Sequence, residues 1–249
     1  MKTVAVIPAR MGSSRFPGKP LAPLHGRPML EHVYQRTALS EAVSEVYIAT
    51  CDDEIRSASE AFGAPVIMTA DTHERASDRV AEAMADKDVD LVVMVQGDEP
   101  LTFPEMIDTA VAPFAEDPAL QCVNLTKRIP TVEEFENPAT IKVVMDGNMN
   151  ALFMSREAIP HRLKGRFEDI AAYKQVCIIP FRHAALMNFY QLPPTPLEIA
   201  ESVDMMRFIE HGIGVRMVET DLETHAVDTP EDLRLVTEMM TTDPLFGTY

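Results

Sequence analysis

Three short apolar runs constrain this chain more than any other feature: Val4-Ala5-Val6-Ile7, Val46-Tyr47-Ile48-Ala49-Thr50 and Leu91-Val92-Val93-Met94-Val95. Each is rich in β-branched or large apolar residues and stops at a turn-forming or acidic segment, the pattern of a strand buried on both faces. Between them the apolar spacing changes to helical. Pro28 leads a helix through Met29, Leu30, Val33 and Tyr34. Asp52-Asp53 open one through Ile55, Ala58 and Phe62 that ends at Gly63, Val66-Ile67-Met68 is a short strand, and 77–85 reads as a further helix. Strands alternating with helices predict an α/β fold with a mostly parallel sheet flanked by helices.

After about residue 120 the alternation stops. Val123 to Thr126 and Ile141 to Met145 read as strands with no helix between them, and Asp146-Gly147-Asn148 offers a hairpin turn into Asn150 to Met154. An antiparallel β insertion over 120–195 within a single 1–249 domain is the expectation. Val176 to Ile179 reads as another strand, Pro196 to His211 as one helix closed by Gly212, and Val215 to Val218 as a late strand. Thr229-Pro230-Glu231-Asp232 carries a capping box for a last helix.

The segment joining the first strand to the first helix, Pro8-Ala9-Arg10-Met11-Gly12-Ser13-Ser14-Arg15-Phe16-Pro17-Gly18-Lys19-Pro20, places three cations and two glycines beyond the carboxyl end of a buried strand. Open α/β sheets bind ligands there. Glycine lets backbone N–H groups approach phosphate, and Arg and Lys stabilise charge on a departing pyrophosphate. Five residues separate Gly12 and Gly18 where a P-loop has four, and Pro20 stands where that motif needs Ser or Thr. A dinucleotide fingerprint also fails for want of a second glycine two positions after Gly12.

Charge narrows the ligand. The chain of 249 residues carries a formal −17, yet 1–36 holds Lys2, Arg10, Arg15, Lys19, Arg27 and Arg36 against Glu31 alone, a local +5. Each phosphate contacted along a nucleic acid needs a Lys or Arg, so the balance excludes nucleic acid and favours a small polyanion. No apolar run approaches the roughly 20 residues that span a bilayer, and a cytoplasmic protein without membrane partners is expected. Cys51, Cys122 and Cys177 fit neither a zinc spacing nor a disulfide framework and are expected as buried thiols. His25, His32 and His183 read as packing or surface residues, and no Ser-His-Asp or Cys-His set is apparent. Gln96-Gly97-Asp98-Glu99-Pro100 follows the most apolar strand, putting Asp98 at the sheet's carboxyl edge as a hard oxygen ligand suited to Mg²⁺. Asp228 precedes a helix and reads equally as a cap or a metal ligand.

The ordered set Ile7 to Leu21, Gly26-Arg27-Pro28-Met29, Glu31-His32-Val33-Tyr34, Ala49 to Asp53, Ala61-Phe62-Gly63, Gln96 to Pro100, Ala151 to Arg156, Pro196-Leu197-Glu198 and Val227 to Leu233 resembles the cytidylyltransferases that activate 3-deoxy-manno-octulosonate (Kdo) over nearly the whole chain. The resemblance implies a Rossmann-like nucleotide-binding sheet, a Mg²⁺-dependent reaction with Asp98 and Asp228 as metal ligands, and a homodimer with the insertion at its interface and in the sugar pocket. It implies CMP transfer from CTP to the anomeric hydroxyl of Kdo or a modified Kdo-like acidic sugar, in a polysaccharide pathway. Arg10, Arg15 and Lys19 would hold the pyrophosphate, and Ala9, Gly12, Ser13, Ser14, Ser77 and Gln96 would line the nucleotide. Arg156, Gln175, Glu198 and Asp204 would meet the sugar, with Arg156 preferred over Arg162 or Lys164 as the carboxylate partner because Arg pairs bidentately.

Departures from that pattern are expected to change the substrate. Arg75-Ala76-Ser77-Asp78-Arg79 replaces a Ser-Gly-Thr stretch before the acid and Arg that lies against the nucleotide in the family, which bears on the cytosine or ribose contact, while Gln175, Ile179 and Met205 stand for polar family residues in the sugar pocket. Lost hydrogen-bond partners predict a weaker preference for unmodified Kdo. A cytidylyltransferase for another small acid or a sugar phosphate, or an inactive nucleotide-binding regulator, are the alternatives.

Overall fold

The structure is a computed structural model that describes residues 1–12, 16–162 and 165–249. The chain forms two compact units, one of 1–108 with 222–249 and the other of 109–221.

In the first unit β1 (Thr3–Pro8) leads through a 3-10 turn to β2 (Pro23–Leu24) and β3 (Arg27–Pro28), a small antiparallel ribbon, and then to α1 (Met29–Ala38). Pro28 precedes α1 with φ −56°, and Met29, Leu30 and Val33 form its buried face. There follow β4 (Glu45–Thr50), α2 (Asp53–Ala61), β5 (Val66–Met68), α3 (Ala76–Met84), β6 (Leu91–Val95) and α4 (Pro104–Val111), within which the unit ends at Asp108. The strands lie in the order β5-β4-β1-β6 and all pair parallel. Every residue of β1 and β6 is buried, as their unbroken apolar runs require. The chain leaves β1 toward β4 on one side and returns to β6 on the other, so the carboxyl ends of β1 and β6 flank a topological switch point. Gly97 suits that point, because a Cβ there would stand 3.0 Å from the Pro8 carbonyl oxygen, tighter than an ordinary contact. The last helix of the chain, introduced below, completes this unit through an apolar cluster of Leu24, Met29, Leu101, Val227, Val236 and Met240.

The second unit holds α5 (Pro113–Glu116), β7 (Cys122–Arg128), α6 (Val132–Glu136), β8 (Lys142–Met145), β9 (Ala151–Ser155), β10 (Tyr173–Val176), β11 (Ile178–Arg182), α7 (His183–Gln191), α8 (Pro196–Glu201), α9 (Met205–Glu210) and β12 (Val215–Glu219); α10 (Pro230–Met240) belongs to the first unit. β7 pairs antiparallel with β10 and β11, and β8 joins β10 to β9. The described pairings within 120–195 are all antiparallel, and β12, outside that span, runs parallel to β7. Three expectations are corrected in detail, the first being that α6 stands between β7 and β8 where no helix was expected, its N-cap Thr131 accepting the Glu134 N–H. The 176–179 strand is two strands that meet at Cys177, and the 196–211 helix is broken at Ser202, whose φ of 54° is left-handed and ends α8. The β8–β9 hairpin turns through Asp146-Gly147-Asn148 as expected, with Met149 as its left-handed residue (φ 62°), and the Asp146 side chain accepts the N–H groups of Asn148 and Asn150. Of the three free thiols Cys122 alone is buried, and burial raises its pKa. No helix among the described residues is long and apolar enough to cross a membrane.

Candidate functional site

A cavity of about 300 Å³ opens in the first unit at the switch point. Its floor comes from the carboxyl ends of β1 (Pro8, Ala9) and β6 (Gln96, Gly97, Asp98), with Arg10, Gly12 and Lys19 from the loop after β1 and Asp228 from the residues before α10. The far wall is His73 to Ala76 with Arg79, at and before the first turn of α3.

Lys19 organises the centre. Its ammonium donates to Asp98 Oδ2 at 2.8 Å and Asp228 Oδ1 at 3.2 Å, and its side chain is 12% exposed. Two carboxylates far apart in sequence are brought together by the backbone, since the Val227 N–H donates to the Asp98 carbonyl at 2.8 Å. Asp228 is not the cap of α10. Thr229 caps it, its Oγ1 accepting the Asp232 N–H, while Asp232 Oδ2 accepts the N–H groups of Asp228 and Thr229 at 3.0 and 2.9 Å. Burial tends to raise the Asp232 pKa, and these hydrogen bonds more than offset it, leaving a carboxylate below its usual range. The capping box thereby fixes the backbone of Asp228 and leaves its carboxylate facing the cavity.

Asp98 and Asp228 supply hard oxygen atoms that converge on one cation, a donor set suited to Mg²⁺, which takes one or two protein carboxylates together with phosphate and water. Among the described residues no group of three or more His, Cys, Asp or Glu gathers as a metal site.

Ala9, Arg10, Gly12, Lys19, Gln96, Asp98 and Asp228 are brought together at this cavity as the sequence reading expects. Ser13, Ser14, Arg15 and Lys164 lie outside the described residues. Ser77 is fully buried, with its hydroxyl toward Met94 Sδ at 3.8 Å, so Arg75 and Ala76 line the cavity in its place. Arg79 belongs to the 75–79 segment named from the sequence, whereas His73 and Glu74 of the wall were not singled out there. Their signal was position, immediately ahead of a helix that follows a parallel strand. Arg79 is buried and holds the wall by donating to Thr69 Oγ1 and the Ala70 carbonyl oxygen.

The expected sugar contacts in the second unit correct several assignments. Arg156 spends its guanidinium on backbone carbonyls, Nε on Glu201 at 2.8 Å, Nη1 on Pro138 at 3.1 Å and Nη2 on Ser202 at 3.4 Å, so its fork is engaged by the fold instead of open to a carboxylate. Glu198 is fully buried, meets Arg207 Nη2 at 2.6 Å and Nε at 2.8 Å, and closes the capping box of α8. Asp204 stands at the start of α9 and is half-buried. Gln175, also half-buried, donates to Asn124 Oδ1 at 2.5 Å. Arg162 pairs with Glu136. Ile179 and Met205 are core side chains, so their apolar character answers packing and removes two of the three grounds for an altered sugar preference.

The cytidylyltransferase family model matches residues 4–221. The 3-deoxy-manno-octulosonate cytidylyltransferase of Geobacter sulfurreducens is 44% identical over 96% of this chain and 100% of its own length, and that of Geobacter metallireducens 43% over 96% and 98%. The chain belongs to the 3-deoxy-manno-octulosonate cytidylyltransferase family. A solved structure of CMP:2-keto-3-deoxy-manno-octonic acid synthetase complexed with CTP superposes with a TM-score of 0.90 at 39% identity, covering 97% of this chain and 99% of that one. The protein is accordingly a nucleotidyltransferase, and the reading as an inactive regulator falls away.

Proposed function

We propose that this cytidylyltransferase moves CMP from CTP to the anomeric hydroxyl of Kdo, releasing pyrophosphate, with Mg²⁺ held by Asp98 and Asp228. The observation that carries this reading is the Lys19 ammonium set between those two carboxylates in a cavity that also presents Arg10 and Gly12. The names of the relatives support the acceptor. In the reaction the sugar oxygen attacks the α-phosphorus, a new oxygen–phosphorus bond forms as the bond to the pyrophosphate oxygen breaks, and the hydroxyl proton is released.

Arg10 and Lys19, with Arg15, bind the β- and γ-phosphates and stabilise the charge that accumulates on the leaving group. Asp98 and Asp228 orient Lys19 before the nucleotide arrives and provide the hard oxygens for the metal. Magnesium, when bound, would lower the pKa of the attacking hydroxyl and neutralise phosphate charge. Gln96 and the 73–76 wall enclose the nucleotide. The homodimer expected from the resemblance remains part of this proposal, to be read by light scattering.

The test is pyrophosphate release with each of the four nucleoside triphosphates, with Mg²⁺ or chelator, against Kdo, an amino-substituted ulosonate and a sugar phosphate. Release with CTP, Mg²⁺ and Kdo above all other combinations is expected. A sugar phosphate or the substituted acid as the best acceptor would overturn the acceptor assignment, and undiminished release in chelator would overturn the metal assignment.

A further inference from the structure

Asp52 stands two residues beyond the end of β4, after Cys51, and occupies the N-cap position of α2, where an Asp side chain ordinarily accepts an N–H of its own helix. It makes no such bond. Its Oδ2 crosses instead to the loop after β1 and accepts the Met11 N–H at 2.8 Å, with the Cys51 thiol donating to the same oxygen at 3.8 Å. The main chain of Asp52 is held on both sides, its N–H donating to Thr50 Oγ1 at 3.1 Å and its carbonyl accepting the Arg56 N–H at 3.0 Å.

Met11 is the residue on which the loop closes. Its carbonyl accepts the Gly18 N–H at 3.2 Å, and Gly18 takes a left-handed φ of 74° just before Lys19. On the other side of Arg10, the Ala9 N–H donates to the Ala49 carbonyl at 2.9 Å. Arg10 thus stands between two residues tied to β4 and its end, and Lys19 follows a residue tied to Met11. Only one of those ties is made by a side chain.

We propose that Asp52 is a positioning residue for nucleotidyl transfer: by accepting the Met11 N–H it fixes the spacing of Arg10 and Lys19 around the cavity. The proposal rests on the reading of that cavity as the CTP site. What Met11 requires is an acceptor oxygen, which the amide of Asn also offers, whereas Ala offers none. Because Asp52 gives α2 no cap bond, Asp52→Ala should leave the thermal midpoint nearly unchanged. A purely structural residue would behave the opposite way.

The experiment compares Asp52→Ala and Asp52→Asn with the unaltered protein for CTP affinity, kcat, the KM of the acceptor sugar and hydrogen exchange at the Met11 amide. Expected for Asp52→Ala is a loss of roughly 10- to 100-fold in kcat/KM for CTP, as small misplacements of charged groups produce. The acceptor KM should stay nearly unchanged and exchange at Met11 should quicken, with Asp52→Asn restoring most of both. Wild-type kinetics in Asp52→Ala, equal damage in Asp52→Asn, or a Met11 amide that exchanges freely in the unaltered protein would each overturn it. If Asp52→Ala does not fold, Asp52→Asn and the wild-type exchange rate still decide. An unaltered protein that fails to bind CTP would sink the cavity reading itself, while Met11 protection would continue to report on the anchor.

Discussion

In the proposed reaction Lys19 is the residue on which most of the chemistry turns, because its ammonium is already compensated by two carboxylates before any substrate binds. A partly buried cation held in this way is preorganised, and the reorganisation that a free lysine would need at the moment of bond cleavage is avoided. Lys19→Ala is expected to lower kcat by about two to three orders of magnitude, the usual effect of deleting one preorganised donor, with circular dichroism unchanged; a kcat within a few-fold of the original would show that Lys19 does not meet the leaving group. Asp228→Asn keeps size but gives up the charge, so its Mg²⁺ dependence should shift to much higher concentration, measured as activity against free Mg²⁺; an unchanged curve would restrict the metal to Asp98. Arg10, Lys19 and Asp98 were legible in the sequence because each directly follows a buried parallel strand or lies in the loop after one. Arg156 and Glu198 were not, since the carbonyls of Glu201 and Ser202 and the guanidinium of Arg207 are placed by a helix break that no local pattern announces, and the Pro138 carbonyl comes from a distant loop.

Elements carry the second level of control. In α1 the His32 ring is buried between the Leu24 carbonyl, at 2.8 Å from Nε2, and the Tyr249 hydroxyl, at 2.9 Å from Nδ1. A carbonyl only accepts, so Nε2 carries the proton and Nδ1 accepts from the tyrosine. Burial is the main reason that the His32 pKa falls below its ordinary 6.5, reinforced by Arg27 and Arg36. The folded form therefore binds a proton less readily than the unfolded chain, and this contribution to stability is present above pH 6.5 and is lost as pH falls through the folded pKa. Thermal midpoints should drop as pH is lowered from about 6.5 to 5, and His32→Gln should flatten that slope; superimposable profiles would refute the assignment. At α10 the capping box does double duty, holding the helix and the Asp228 backbone. Thr229→Ala should cost about 1 kcal/mol by denaturant titration and raise the Mg²⁺ requirement as well, whereas a stability loss with unaltered Mg²⁺ response would separate the cap from the site. This cap was readable as Thr-Pro-Glu-Asp. The break at Ser202 was not, because Ser is an ordinary helix residue until its φ turns positive.

For the whole molecule the parallel half was legible and the boundary of the other half was not. Strands β1, β4 and β6 show their burial as unbroken apolar runs, but the second unit begins at Thr109 within α4, ahead of the change in pattern near residue 120. Parallel pairing of β12 with β7 joins residues some ninety positions apart, and a five-residue strand cannot state its partner's direction. Charge operates at this scale too. A protein of net −17 repels a nucleoside triphosphate at long range, whereas in the proposed reading Lys19, Arg75 and Arg79, each at least partly buried, attract it inside the cavity. Salt screens the first effect more than the second, since exposed charges farther apart than the Debye length of about 8–10 Å are screened and partly buried groups much less. The two trends oppose each other. KM for CTP measured at fixed free Mg²⁺ should thus change by less than about threefold between low and physiological ionic strength. A basic surface patch would give the steep loss of affinity that follows from counterion release. A tenfold or larger rise in KM over that range would mean that the phosphates are held by exposed cations, and would move the nucleotide out of the cavity between β1 and β6.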